Sequence, residues 1–211
     1  MTINPIVRAV AALVLALSAG HAAADTTLDI SIHTAGFGTA SGWLDLQFNG
    51  PGVGLAPDAS VTLTDFVGFD AAADVQTAGQ VDGSLAAGYV IRNGAAWNDL
   101  FHAVNYGGVL SFKVTFAGDA DLSGNIGQSV FSVSAYGADQ LTLLGNPSSI
   151  DGSLGTVTWT PGTTLGEPGR TEAAFNSGVI DIAPVPEPSS WLMTGIGAML
   201  VAGAARRRAL R

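Results

Sequence analysis

Apolar and polar residues alternate with a period of two along most of the chain between residues 25 and 184. The clearest stretch is 109–116, in which Leu110, Phe112 and Val114 are separated by polar residues. Such alternation is typical of β-strands that bury one face and leave the other in solvent. It predicts strong strands at residues 27–33, 43–48, 109–116 and 131–136, and weaker ones at 60–66, 88–92, 140–144, 156–160 and 178–182.

Turn-forming residues separate these segments, for example at 50–52, 56–58 and 161–162. Glycine tolerates positive φ, proline fixes φ, and asparagine and aspartate bond to the nearby backbone, so each favours a turn. Many short strands with one apolar face predict two antiparallel sheets packed face to face. We therefore predict an all-β antiparallel sandwich at 25–184, for which a jelly roll is one topology. One short helical turn is expected at 98–104.

The N-terminal residues have the order of a secretory signal peptide. Arg8 gives a positive start, residues 9–17 are apolar, and Ala22 and Ala24 form a small-x-small cleavage site. We predict a signal peptide at 1–24, read by the Sec export machinery and cleaved before Asp25. The alternative is a permanent N-terminal anchor, for which the apolar run is short.

The C-terminal residues have the order of a membrane anchor. Residues 189–205 carry no charge, and as a helix they would span roughly 25 Å, close to the minimum for a bilayer core. Pro186 and Pro188 favour an extended spacer before this segment. An alternative is a buried helix of a soluble domain, but an arginine cluster without acidic residues favours a transmembrane helix whose basic end stays in the cytoplasm. That basic end, residues 206–211, contains Arg206, Arg207, Arg208 and Arg211.

This tail resembles a known sorting signal. The sequence Val185-Pro-Glu-Pro-Ser-Ser-Trp191, followed by an apolar segment and terminal arginines, is similar to the PEP-CTERM signal of Gram-negative bacteria. The resemblance implies that Pro186, Glu187 and Pro188 are the motif recognised by exosortase, a membrane enzyme that removes the tail at 185–211. The chain would then be the substrate of that enzyme.

The body shows a looser resemblance. The segments 39–48, 109–116 and 131–136 are similar to an uncharacterised group of PEP-CTERM exported proteins. This similarity implies a single sandwich domain and brings no activity with it.

Charge and cysteine content narrow the partners of the body. Arg92, Lys113 and Arg170 are its basic residues, and of the seventeen acidic residues all but Glu187 lie within it, so its net charge is 3 − 16 = −13. Such a charge repels nucleic acid and anionic membrane surfaces. The chain has no cysteine, so neither disulfides nor a lipidated cysteine contributes to it.

One loop has the spacing of a cation site. Asp119, Asp121, Ser123 and Asn125 stand at alternate positions, and Gly124 occupies the turn position of a calcium loop. The twelfth position, where a bidentate glutamate belongs, is Val130. The alternative is a solvated hairpin connection between two strands. Calcium is the only cofactor that the sequence brings into consideration.

No catalytic residue is assigned. His33 falls on the polar face of its strand and His102 in an apolar stretch, and no known catalytic motif surrounds either. Trp159 is expected in the core. Trp43 lies opposite the apolar face formed by Leu44 and its neighbours, so it is a candidate for stacking on a sugar ring.

Three functional hypotheses follow. The first is a non-catalytic protein of the cell surface, extracellular matrix or biofilm, exported and held in the inner membrane before its tail is removed. The alternative is a surface module that binds carbohydrate, such as exopolysaccharide, or a cation. The third is a secreted hydrolase of unfamiliar type, for which the sequence supplies no set of catalytic residues.

Overall fold

The computed structural model describes residues 26–146, 152–176 and 178–185. These residues form thirteen β-strands. Their bounds are β1 Thr26–His33, β2 Ser41–Asn49, β3 Ala59–Val67, β4 Val75–Ala78, β5 Val81–Ser84, β6 Gly88–Arg92, β7 Asp99–Asn105, β8 Val109–Gly118, β9 Ser129–Gly137, β10 Leu143–Leu144, β11 Ser153–Thr160, β12 Arg170–Phe175 and β13 Ile180–Pro184.

The strands form two antiparallel sheets that pack as a sandwich, as predicted. Sheet A has the order β13-β1-β8-β3-β6-β5, and sheet B has the order β12-β11-β9-β2-β7-β4, with β10 beside β9. The pairing is nested: β1 pairs with β8, β2 with β7, and β3 with β6. Strands β6 to β8 therefore pair in reverse order with strands β3 to β1. The pairs β1/β8 and β3/β6 lie in sheet A, and the pair β2/β7 lies in sheet B.

The core lies between the inward faces of the sheets. The rings of Phe48 and Phe116 meet at 6.2 Å, and Phe131 packs edge-on against Phe116 and Phe112. All four side chains are at most 2% exposed. The apolar positions of the strong predicted strands are those that face this core, and Trp159 is buried there as expected.

The predicted helical turn at 98–104 is wrong. Residues Asp99–Asn105 form β7, in which Leu100, His102 and Val104 face inward while Phe101 and Ala103 face outward. Because Phe101 and Ala103 are apolar on the outward face, the two-residue period was hidden in the sequence.

The sequence pattern did not predict three edge strands, and it predicted one other strand as longer than it is. β4, β5 and most of β12 are exposed, so they carry no apolar face for a pattern to show. The predicted strand at 140–144 is reduced to Leu143–Leu144 because Gln140 has a positive φ of 61° and belongs to a turn.

The predicted signal peptide at 1–24 and the predicted membrane segment at 189–205 lie outside the described residues. Within the described ranges, no helix has the length and apolar character to cross a membrane.

Candidate functional site

The two ends of the body lie side by side. β13 pairs with β1 from Ile180↔Ile32 to Pro184↔Leu28. Beyond it, the Val185 N–H donates to the Thr27 carbonyl oxygen at 2.9 Å. The tail therefore leaves the body next to the point where the body begins. The motif residues Pro186, Glu187 and Pro188, the arginines of the basic end, and the cleavage residues Ala22 and Ala24 all lie outside the described residues.

The loop with cation spacing is held by its own hydrogen bonds. The Asp121 carboxylate accepts from the Ser123 N–H at 2.9 Å and from the Gly127 N–H at 3.1 Å, and it also accepts from the Ser123 hydroxyl. The Ser123 hydroxyl contact, followed by the backbone donors, holds the pKa of Asp121 below its ordinary value. The Asn125 N–H lies 3.3 Å from the Ser123 hydroxyl oxygen. The Asp121 side chain thus shapes the loop that contains it.

The connection from β8 to β9 is not a hairpin, because these strands belong to different sheets. At its start the Asp119 N–H donates to the Asp58 carbonyl oxygen at 2.9 Å. Both residues line an open cleft of about 730 Å³ that also contains Arg92, Gln80 and Asn93. Among the described residues no three histidine, aspartate or glutamate side chains gather to hold a metal ion. The cation site stays a prediction, and Asp58, which sequence spacing did not indicate, is the carboxylate that lines this cleft together with Asp119.

Trp43 belongs to a row of rings on the outer face of sheet B. Its ring stacks on Phe101 with centroids 5.0 Å apart and planes at 15°, and Phe101 meets Tyr136 edge-on at 5.6 Å. The Tyr106 hydroxyl lies 2.8 Å from the Trp43 carbonyl oxygen and 2.9 Å from that of Tyr136. This hydroxyl fixes β2 and β9 where they carry the two rings.

Trp43 also forms one wall of a small cleft. The cleft has a volume of about 210 Å³, and Ser41, Asp70 and Asn105 contribute polar groups to it. Trp43 is half-buried. One ring face is covered by Phe101, so the ring is held rigidly while its side chain borders the cleft.

Asp45 is the unusual member of this face. It lies two residues from Trp43 on the same strand and is 6% exposed, although it points away from the core. Gln47 donates to its Oδ2 at 2.6 Å, while its Oδ1 is buried without a hydrogen-bond partner. Burial raises the pKa of Asp45 from 3.8 to about 6; the Gln47 bond opposes this and the negative charge of Asp99 adds to it.

The two histidines of the body lie apart. His33 Nε2 is 2.9 Å from Asp181 Oδ2 on the exposed face of sheet A. His102 is buried, with Nδ1 2.7 Å from the Ala103 carbonyl oxygen and its ring against Phe69. The contact of His33 with Asp181 could not be predicted from the sequence, because 148 positions separate the two residues.

Comparison with known proteins identifies the tail. A PEP-CTERM protein-sorting motif matches residues 184–208, beginning at the last residue of β13. No curated protein and no solved structure matches the chain significantly. The chain therefore carries a C-terminal PEP-CTERM protein-sorting motif, which makes it an exported, membrane-sorted protein and a substrate for exosortase.

Proposed function

We propose that this chain is a non-catalytic protein of the cell surface or extracellular matrix. The observation that carries the proposal is the sorting motif at 184–208, which begins at the last residue of the body's last strand. The Sec machinery exports the chain, the segment 189–205 holds it in the inner membrane, and exosortase then releases the body. The body's role outside the cell is structural or adhesive.

The fold supports this role. The nested pairs β1/β8, β2/β7 and β3/β6 are what results when a long hairpin is rolled into two sheets, which favours the jelly-roll assignment. The pairing of β1 with β13 keeps the two ends of the body together after both targeting segments are cut away. A sandwich closed in this way needs neither disulfides nor a bound anchor to remain folded.

The test is the intact mass of the protein recovered outside the cell, from strains with and without exosortase. We expect a product that begins at Asp25 and ends near Pro188, seen only when exosortase is present. A matched variant combines Glu187→Ala with deletion of residues 206–211 and should stay in the cell with its body folded. Normal release of that variant, or an intact tail in both strains, would refute the proposal.

A second candidate function is carbohydrate binding at the Trp43 cleft. A rigid indole beside hydroxyl, amide and carboxylate groups is the combination that sugar rings need, since the ring stacks on their C–H face while polar groups take their hydroxyls. Trp43 supplies the ring and Ser41, Asp70 and Asn105 the polar groups.

Native gel electrophoresis through exopolysaccharide purified from the host tests this candidate. We expect the matrix to retard the protein, and Trp43→Ala to remove the retardation. Trp97→Ala is the control, because Trp97 is exposed and does not line the cleft. Equal retardation of the two variants, or none of the unaltered chain, would exclude the cleft as a sugar site.

A further inference from the structure

One end of the sandwich, which we call the tail end, carries Val185 and, among its connections, three long loops. The loops are 50–58, 119–128 and 161–169. Thr26 pairs with Phe116 near the end of β8, which continues directly into loop 119–128. Because the Val185 N–H donates a hydrogen bond to the Thr27 carbonyl oxygen, the start of the tail lies at this same end.

The three loops form one continuous surface. Gly127 lies so close to loop 50–58 that a Cβ atom there would come 2.4 Å from the Leu55 carbonyl oxygen. The Asp121 N–H donates to the Gly162 carbonyl oxygen at 2.8 Å, which joins loop 119–128 to loop 161–169.

This surface exposes aliphatic side chains. Leu55 is 67% exposed, Leu122 62% and Leu165 83%, and Val53 and Ile126 are exposed beside them. At the opposite end, Leu141 is exposed in a loop, and Val67 and Val109 are exposed at the strand ends that border the loops. Each of the three loops therefore presents at least one large apolar side chain to solvent. Single exposed apolar residues are ordinary, but a continuous surface that carries several of them marks an interaction site.

The loops hold these side chains outward in a fixed way. The Asp121 carboxylate is bonded within its loop beside Leu122. Glu167 Oε2 accepts from the Thr163 N–H at 2.9 Å and the Thr164 N–H at 3.2 Å, which closes the turn that carries Leu165. The carboxylates of Asp121 and Glu167 are thus turned into their own loops, whereas Asp58 and Asp119 are exposed at the same end.

Ile126 adds an independent observation. Its φ is +46°, a conformation that is rare and strained for a β-branched residue. A glycine or asparagine would relieve the strain, and the Ile126 side chain gains little from the core because it is 44% exposed. An aliphatic side chain at a strained and exposed position favours the hypothesis of a contact outside the body.

We propose that the tail end docks onto the surface of a lipid bilayer while the chain is anchored by its tail. The inference rests on the proposed function, in which the segment 189–205 lies in the membrane. Residues 186–188 connect Val185 to the membrane segment, which begins at Ser189. Even with Ser189 included, a fully extended chain of this length reaches roughly 14 Å. The tail end must therefore stay close to the lipid headgroups, where exposed aliphatic side chains and the indole of Trp97, on the neighbouring 93–98 connection, can be buried. The net charge of −13 favours a neutral lipid surface over an anionic one.

Site-specific fluorescence in vesicles tests this contact. The chain has no cysteine, so one introduced cysteine carries the only label. The full chain is reconstituted into phosphatidylcholine vesicles whose acyl chains bear a quencher, with an environment-sensitive dye at Leu55→Cys or Leu165→Cys. Leu141→Cys is the control at the opposite end, and Ile196→Cys reports on the tail itself. We expect quenching at least twofold stronger at 55 and 165 than at 141.

The outcomes separate the two proposals. Quenching at 196 with none at 55 and 165 would overturn the docking and leave the anchored tail intact. An unquenched label at 196 would overturn both. Labels at 55 and 165 that are shielded from aqueous iodide yet unquenched by lipid would show that a second copy or another protein covers the tail end, which also overturns the lipid contact. Leu55→Asp combined with Leu122→Asp should abolish quenching at 165 while quenching at 196 persists.

Discussion

Replacing Asp45 with asparagine should stabilise the protein at neutral pH and much less so in acid. Asp45 is 6% exposed, and its Oδ1 has no partner. Asparagine keeps the shape of the side chain and its oxygen can still accept from Gln47, while the desolvated negative charge is removed. The effect is therefore confined to the ionised form of the carboxyl group.

The sign and size of this stabilisation follow from the pKa of Asp45, which rises from 3.8 to about 6 on folding. The folded state holds the proton more tightly than the unfolded chain, so this group's contribution is most favourable below pH 3.8 and is lost as the pH rises through about 6. The difference in pKa corresponds to about 3 kcal/mol of unfolding free energy at high pH. Roughly 2 kcal/mol of that should appear between about pH 4.5 and about pH 7.5.

Urea unfolding, monitored by tryptophan fluorescence, measures the free energy of unfolding at about pH 4.5 and at about pH 7.5. The Asp45→Asn variant should gain about 1–3 kcal/mol over the unaltered chain at about pH 7.5, and the gain should shrink by about 2 kcal/mol at about pH 4.5. Asp29→Asn is the control, because Asp29 is exposed on the outer face of sheet A. A difference between Asp45→Asn and the unaltered chain that does not change with pH would refute the reasoning from desolvation.

Three further predictions concern the core, the ring row and the cation loop. Phe131→Ala should lower the free energy of unfolding by about 3–5 kcal/mol, because it opens a cavity among buried rings; a loss below about 1 kcal/mol would contradict the packing. Tyr106→Phe should cost about 1–2 kcal/mol in the same assay and weaken the near-UV circular dichroism of the ring row, because two carbonyl groups lose the hydroxyl between them. Calcium should leave the thermal midpoint of the unaltered chain unchanged relative to chelator, since the loop's own groups occupy Asp121; a calcium-dependent rise that Asp119→Asn and Asp58→Asn each abolish would establish a cation site.

The sandwich could be predicted because strands with one buried face record that face in the sequence. In β8 every second residue from Leu110 to Phe116 is buried, and the alternation shows it directly. The same rule fails for β4 and β12, whose residues are exposed on both faces. It fails for β7 because Phe101 is apolar on the face that was expected to be polar.

The outer face of sheet B shows why candidate sites are harder to predict than strands. Alternation placed Trp43 and Asp45 on the solvent side, and both do point outward. Their burial depends on Phe101 of β7 and Ser134 of β9, which the register brings opposite Asp45. A sequence period gives the direction of a side chain, but what covers it is decided by strands distant along the chain. The pairing of His33 with Asp181 has the same origin.

The overlap of the sorting motif with β13 constrains where the tail can be removed. The motif match begins at Pro184, yet Pro184 is still paired with Leu28, and Val185 is bonded to Thr27. A cut before Ile180 would strip the outer partner from β1 and expose an unpaired edge, which promotes association between chains. Ile180 is fully buried, so such a cut would also open the core. A released body that keeps the whole of β13 must therefore end at or beyond Pro184. The strand that closes sheet A and the signal that directs sorting thus overlap at Pro184, so a cut by exosortase that leaves sheet A complete must fall after this strand.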